Sequence, residues 1–190
     1  MNACYLITPQ GVRYAIASNQ PDKKRLLLLF ILKKISDGLV SFDDVTGFYQ
    51  HDKKLAFKEI CSLLDLQLIT LNEPAVNIAN ETAEEILFNN EFILSDLHGL
   101  IIYYRGFDPQ TAQQISANAC EFIRASRRQQ QDAQSTPLCI ETTWQNSGIK
   151  IYRLYLENFS CLLTSKSHSI LDHKAFVPCI SYLCSRYSYE

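Results

Sequence analysis

The chain has 190 residues, 47% of them hydrophobic and 20% charged, with 18 basic and 20 acidic side chains and a net charge of -2. That composition excludes a disordered or fibrous protein and leaves room for one large domain or two small ones. The near-balance of charge excludes whole-chain attraction to nucleic acid or anionic lipid, so any such contact has to be local.

The first stretch, "ACYLITPQGVRYAIAS", alternates apolar and polar residues and predicts a short hairpin turning at Gly11. Pro21 and Asp22 then start a helix that runs to about Ser36 and stops at Asp37-Gly38. Its core "LLLLFIL", Leu26 to Leu32, is preceded by basic residues like the core of a signal peptide. No small-residue cleavage pattern follows and an amphipathic continuation runs on, so a buried helix and a cytoplasmic location are expected. No apolar run approaches the roughly 20 residues of a membrane helix, and no membrane partner is expected. "SFDDVTGFYQ" opens with a Ser cap and two carboxylates and predicts a helix from Phe42 to Tyr49. In "HDKKLAFKEICSLLDL", Leu55, Ile60, Leu63 and Leu64 form a stripe of near-helical period, and "QLITLNE" follows as a strand.

Three helices and then a strand is the order of a winged helix, and "FKEICSLLDLQLITL" resembles that family's passage from third helix to first wing strand. Gln67 stands where a Gly is usual. If the third helix were a recognition helix, Lys53, Lys54 and Lys58 would contact phosphates and bases. The plain alternative is the solvated side of an amphipathic helix. Up to Ala75 there are 9 basic and 8 acidic residues, and 9 minus 8 gives only +1, so little electrostatic affinity for DNA is expected. A protein-protein or spacer role suits this module better.

Glu73-Pro74 and the polar "NIANET" mark a boundary, which predicts a winged-helix-like domain over 1-75 and a second domain over 76-190. A short acidic helix is expected from Thr82 to Asn89. Glu91 to Ser95 and Leu100 to Tyr104 are strands joined by a tight turn in "SDLHG". Both are almost continuously apolar, which predicts a central place in a sheet for each. Asp108 and Pro109 then cap and start a long helix, with Ile115, Ala119, Phe122 and Ile123 at helical spacing among small residues. "LCIETTW", "IKIYRLYL" and "SCLLTS" form a three-strand meander. A last helix lies within Leu171 to Tyr187, started by Asp172, and Pro178 inside it means a later first turn or a kink.

This order, with "ILSDLHGLIIYYRGFDPQTAQQISANACEFIRAS", resembles the roadblock (dynein light chain) family over Thr82 to Glu190, through Asp96, Gly99, Leu100 and the helix from Asp108. The resemblance implies an α+β fold, a five-stranded antiparallel sheet in the order 2-1-5-4-3 with helices on both faces. "LCIETTW" would then be an edge carrying Leu138, Ile140 and Trp144, an association site unless covered. Family members pair as homodimers through that edge and the long helix, which implies Ile115, Ala119, Phe122, Ile140 and Trp144 at or beside a two-fold axis. The plain alternative for Trp144 is a ring capping its own core.

Bacterial members of the family resemble partners and regulators of small Ras-like GTPases, and eukaryotic members are adaptors in motors and signalling scaffolds. This sequence has no "GxxxxGK[ST]" loop with which to hold a nucleotide, so it would act in trans. Arg105, Arg124, Arg127 and Arg128 are candidate charged contacts. The rival reading is a transcriptional regulator that binds DNA through its amino-terminal module and dimerises or senses a ligand through the other. A small-molecule sensor on the sheet scaffold is a third. No nucleophile elbow, metal pair or redox motif marks an enzyme, and His98 falls in a turn where an imidazole is structural or exposed. The 7 Cys residues are scattered in apolar strings and read as reduced, buried thiols. Cys179 and Cys184, with His168 and His173 nearby, match no zinc spacing, so neither metal nor cofactor is expected.

Overall fold

Thr8 and Pro9 decide the start of the fold. The computed structural model describes residues 4-17, 22-35, 39-72, 91-129, 139-144, 147-156, 159-166, 170-172 and 176-186. Strand β1 (Cys4–Ile7) is followed by helix α1 (Pro9–Ile16), not by the second arm of a hairpin. The Thr8 hydroxyl accepts from Gly11 N at 3.0 Å, and Pro9 occupies a first-turn position where no intrahelical N–H is required. The alternation that predicts a hairpin at Gly11 is thus overridden by a cap and a proline.

The chain divides into two compact units, one of residues 1-87, 156-158 and 171-190, the other of 88-155 and 159-170. In the first unit α2 (Lys23–Ile35) is apolar nearly all round: Leu27, Leu28, Leu29, Ile31 and Leu32 are buried. Its Arg25 is buried too, with Nε donating to the Ala15 carbonyl at 2.9 Å. Strand β2 (Val40–Ser41) leads into α3 (Phe42–Phe48), where Ser41 and Asp44 form a reciprocal capping box. Those hydrogen bonds, from the Ser41 backbone first, hold the Asp44 carboxyl below its ordinary range. Helix α4 (Lys53–Asp65) is capped by Asp52, and β3 (Ile69–Asn72) follows. The three strands form an antiparallel sheet in the order β2-β1-β3.

The join between α4 and β3 accounts for the Gln67 departure. Gln67 has φ 56°, its N–H donates to the Leu64 carbonyl at 2.9 Å, and Leu68 N donates to the Leu63 carbonyl at 2.9 Å. This pair of bonds is a Schellman cap, whose left-handed position favours glycine. A Gln67→Gly variant should therefore be more stable by about 1 kcal/mol, a rise in Tm of about 2–4 °C. Calorimetry checks this, and an unchanged or lower Tm would contradict it. The partner of β3 here is the amino-terminal strand β1. The Glu73-Pro74 boundary and the helix expected over Thr82 to Asn89 lie outside the described residues.

The second unit holds β4 (Phe92–Asp96), β5 (Ile101–Arg105), α5 (Pro109–Gln129), β6 (Cys139–Trp144), β7 (Ser147–Tyr155) and β8 (Ser160–Ser165). The strands form one antiparallel sheet in the order β5-β4-β8-β7-β6, which is 2-1-5-4-3 within the unit. Helix α5 lays Ala112, Ile115, Ala119, Cys120 and Ile123 on Ile93, Ile149, Ile151 and Leu162 of one face. Phe92, Leu94, Leu154 and Leu163 alternate onto the other and are buried as well. Of the two strands expected to be central, β4 is and β5 is not. Among the described residues β5 pairs only with β4, and Tyr103 and Tyr104 are 46% and 37% exposed. A continuous apolar run signals two-sided burial only where both neighbours exist.

The last helix, α6 (Phe176–Arg186), corrects the expected division at 76. It belongs to the first unit, packing on α2, with Ser181 Oγ donating to the Leu32 carbonyl at 2.6 Å. The helix begins at Phe176, so Pro178 sits in its first turn and costs no helical bond.

Candidate functional site: a free sheet edge and the flank of the long helix

Helix α5 is fixed at both its start and its middle. Asp108 accepts from Thr111 N at 2.9 Å, and its carboxyl is held below the ordinary range by the Thr111 hydrogen bonds. Further along, Ser116 Oγ donates to the Gly99 carbonyl at 2.8 Å and Cys120 Sγ to the Leu97 carbonyl at 3.0 Å. These bind the helix to the β4-β5 turn. That turn is shaped by Asp96, whose Oδ1 accepts from the backbone N–H of His98 and of Leu100, both at 2.8 Å, and by Gly99 at φ 88°. The His98 side chain is exposed.

With the helix so held, its residues separate by side. Ile115 and Ala119, expected at a two-fold axis, are 3% and 1% exposed and belong to the unit's own core. They have no surface to offer a partner. Phe122 differs: it is 43% exposed, with Asn118 four residues before it and Ala125 three after it on the same flank. Arg124 and Arg128 are exposed, Arg124 pairing with Glu121 at 2.8 Å, and Arg105 is half-buried; the Arg127 side chain lies outside the described residues.

Strand β6 ends the sheet. It pairs with β7 alone, from Cys139 opposite Tyr152 to Trp144 opposite Ser147, so its other backbone edge has no strand beside it among the described residues. Ile140 and Trp144 share one face of this strand, two residues apart in period from Thr142. Their side chains lie outside the described residues. The second edge, β5, was missed by sequence reasoning. Tyr103 stacks on Phe92 at 5.6 Å, and Leu100 in the preceding turn is 69% exposed.

In the first unit Lys53, Lys54 and Lys58 are all exposed on α4, with Phe57, 63% exposed, between them. The link from α3 to α4 passes through Gln50 and His51 at φ 52° and 69°. Near it Tyr49 is pushed up to about 12 by burial, with Glu59 adding to the shift. Burial also pushes the Cys179 thiol up to about 11, which disfavours the thiolate a metal would need. Among the described residues no cluster of three or more His, Cys, Asp or Glu could hold a metal; His168 and His173 lie outside them. Nor is any described helix long and apolar enough to cross a membrane.

No family model and no curated protein matches the chain. Among solved structures, the crystal structure of a Roadblock/LC7 domain from Streptomyces avermitilis is similar to it at 14% identity and a TM-score of 0.37. That match covers 54% of this chain and 90% of the other.

Proposed function

We propose that this chain is a non-enzymatic regulatory or scaffold protein that forms a homodimer through its sheet unit and binds a small Ras-like GTPase or another signalling protein. The observation that carries the reading is the strand order β5-β4-β8-β7-β6 with a long helix between the unit's second and third strands in chain order and, among the described residues, no strand beside the outer edge of β6. An unpaired strand edge is a template for another chain, and pairing two β6 edges makes one continuous sheet. The exposed Phe122 adds an apolar contact beside it. An interface of roughly 1,200–2,000 Å² suffices for a stable pair.

The partner is tested by immobilising the full chain and offering cell extract with a GTP analogue or with GDP. Recovery of a small GTPase in one nucleotide state and not the other is the expected result; no nucleotide-dependent recovery would contradict it. The second reading, DNA binding through α4, is favoured by the joint exposure of Lys53, Lys54 and Lys58. It requires binding that falls steeply with salt and is lost when these three lysines are replaced.

A further inference from the structure

Helix α4 carries an exposed aromatic ring set among cations. Phe57 is 63% exposed, and Lys53, Lys54 and Lys58 are exposed beside it. Lys53 and Lys54 stand four and three residues before Phe57 and Lys58 directly after it, so the four share one side of the helix. Among the described residues none of these lysines has an ion pair, and no second ring or cation lies on Phe57. Glu59, two residues on from Phe57, falls on the far side of the helix. Its Oε2 is buried, and its charge adds to the burial that pushes Tyr49 up. The other carboxylates of this segment, Asp52 and Asp65, are exposed at its two ends.

A ring so exposed contributes little to the core of its own unit, whereas a partner that covers it removes its apolar surface from water. Three adjacent ammonium groups call for negative charge on that partner. The cationic stretch is short: from Lys53 to Lys58 the helix rises about 7–8 Å, and an acid stands beyond it at either end. A DNA duplex carries a charge about every 1.7 Å along its axis and is met by the amino-terminal residues of a recognition helix. On α4 that end carries Asp52, whose Oδ1 accepts from Leu55 N at 3.0 Å. A few carboxylates around one apolar side chain match the stretch in both charge and length.

We propose that this side of α4 docks an acidic amphipathic helix of a partner protein. An apolar side chain of the partner packs on the Phe57 ring, and carboxylates about one turn to either side of it meet Lys53, Lys54 and Lys58. The site lies wholly on α4 and depends neither on the β6 edge nor on a GTPase.

The test is fluorescence anisotropy of a labelled peptide of about 14 residues, with leucine at helical spacing on one face and glutamate elsewhere, titrated with the full chain in dilute salt. Saturable binding with a Kd below about 100 µM is expected. It should weaken at least about 10-fold for Phe57→Gln, for the combined Lys53→Gln, Lys54→Gln and Lys58→Gln variant, and for a peptide with glutamine in place of glutamate. Because the replaced side chains are exposed, Tm should stay within about 2 °C of the parent. A DNA duplex of mixed sequence is titrated in parallel. Failure of the peptide to bind, binding indifferent to either variant, or tighter binding of the duplex than of the peptide would overturn the proposal, the last in favour of the DNA reading. None of these results touches association through β6, so the two accounts fail separately.

Discussion

A Gly11→Ala variant is expected to be destabilised by about 3 kcal/mol, a fall in Tm of roughly 6–12 °C. A Cβ built on Gly11 would lie 2.0 Å from the Leu68 carbonyl oxygen and 2.8 Å from Ile7 Cγ1. The first of these neighbours is backbone and cannot swing aside. It is also already engaged, accepting from Thr8 N at 3.0 Å and from the Thr8 hydroxyl at 3.1 Å. Relief would need α1 to move away from the β3 entry, breaking the Thr8 contacts that start the helix. Chemical denaturation or calorimetry gives the change directly. A loss under about 1 kcal/mol would show that the close approach of α1 to Leu68 is not part of the folded state.

Replacing Phe122 by Arg is expected to weaken homodimerisation at least about 100-fold, or about 2.7 kcal/mol, while leaving the unfolding midpoint of the monomer within about 1 °C. The reasoning is that a half-exposed ring contributes little to its own core but, if covered by a second copy, becomes a desolvated anchor of the kind that dominates interfaces. A buried Arg in that place would carry an uncompensated charge. Sedimentation velocity over a concentration series measures the change. Equal dissociation constants for variant and parent would remove Phe122 from the interface.

Helices α2, α3 and α4 of the first unit were legible because their chemistry is local. Ser41 with Asp44, Asp52, and the apolar spacing of α4 specify starts and faces within a single turn or two. The "SDLHG" turn was legible for the same reason, since Asp96 and Gly99 supply an acceptor and a positive φ within four residues. The α1 helix was misread because alternation over sixteen residues was weighed above the Thr-Pro pair that caps a helix. Neither the exposure of β5 nor the place of α6 can be derived from local pattern. A strand's neighbours and a helix's docking partner are set by tertiary contacts, here the single-sided pairing of β5 and the packing of α6 on α2.

The candidate site was half legible. Periodicity put Ile115, Ala119 and Phe122 on one stripe, yet a stripe at helical period first fills the helix's own core. Ile115 and Ala119 do so. The usable signal was Phe122 at the margin of that stripe, a large apolar side chain with polar and small neighbours.

The association of two copies through β6 and the flank of α5 is tested most directly by sedimentation equilibrium of the purified full chain. Two chains of 21.8 kDa should sediment as one species of twice that mass across the micromolar range. A single species of one chain's mass at every concentration would contradict the account.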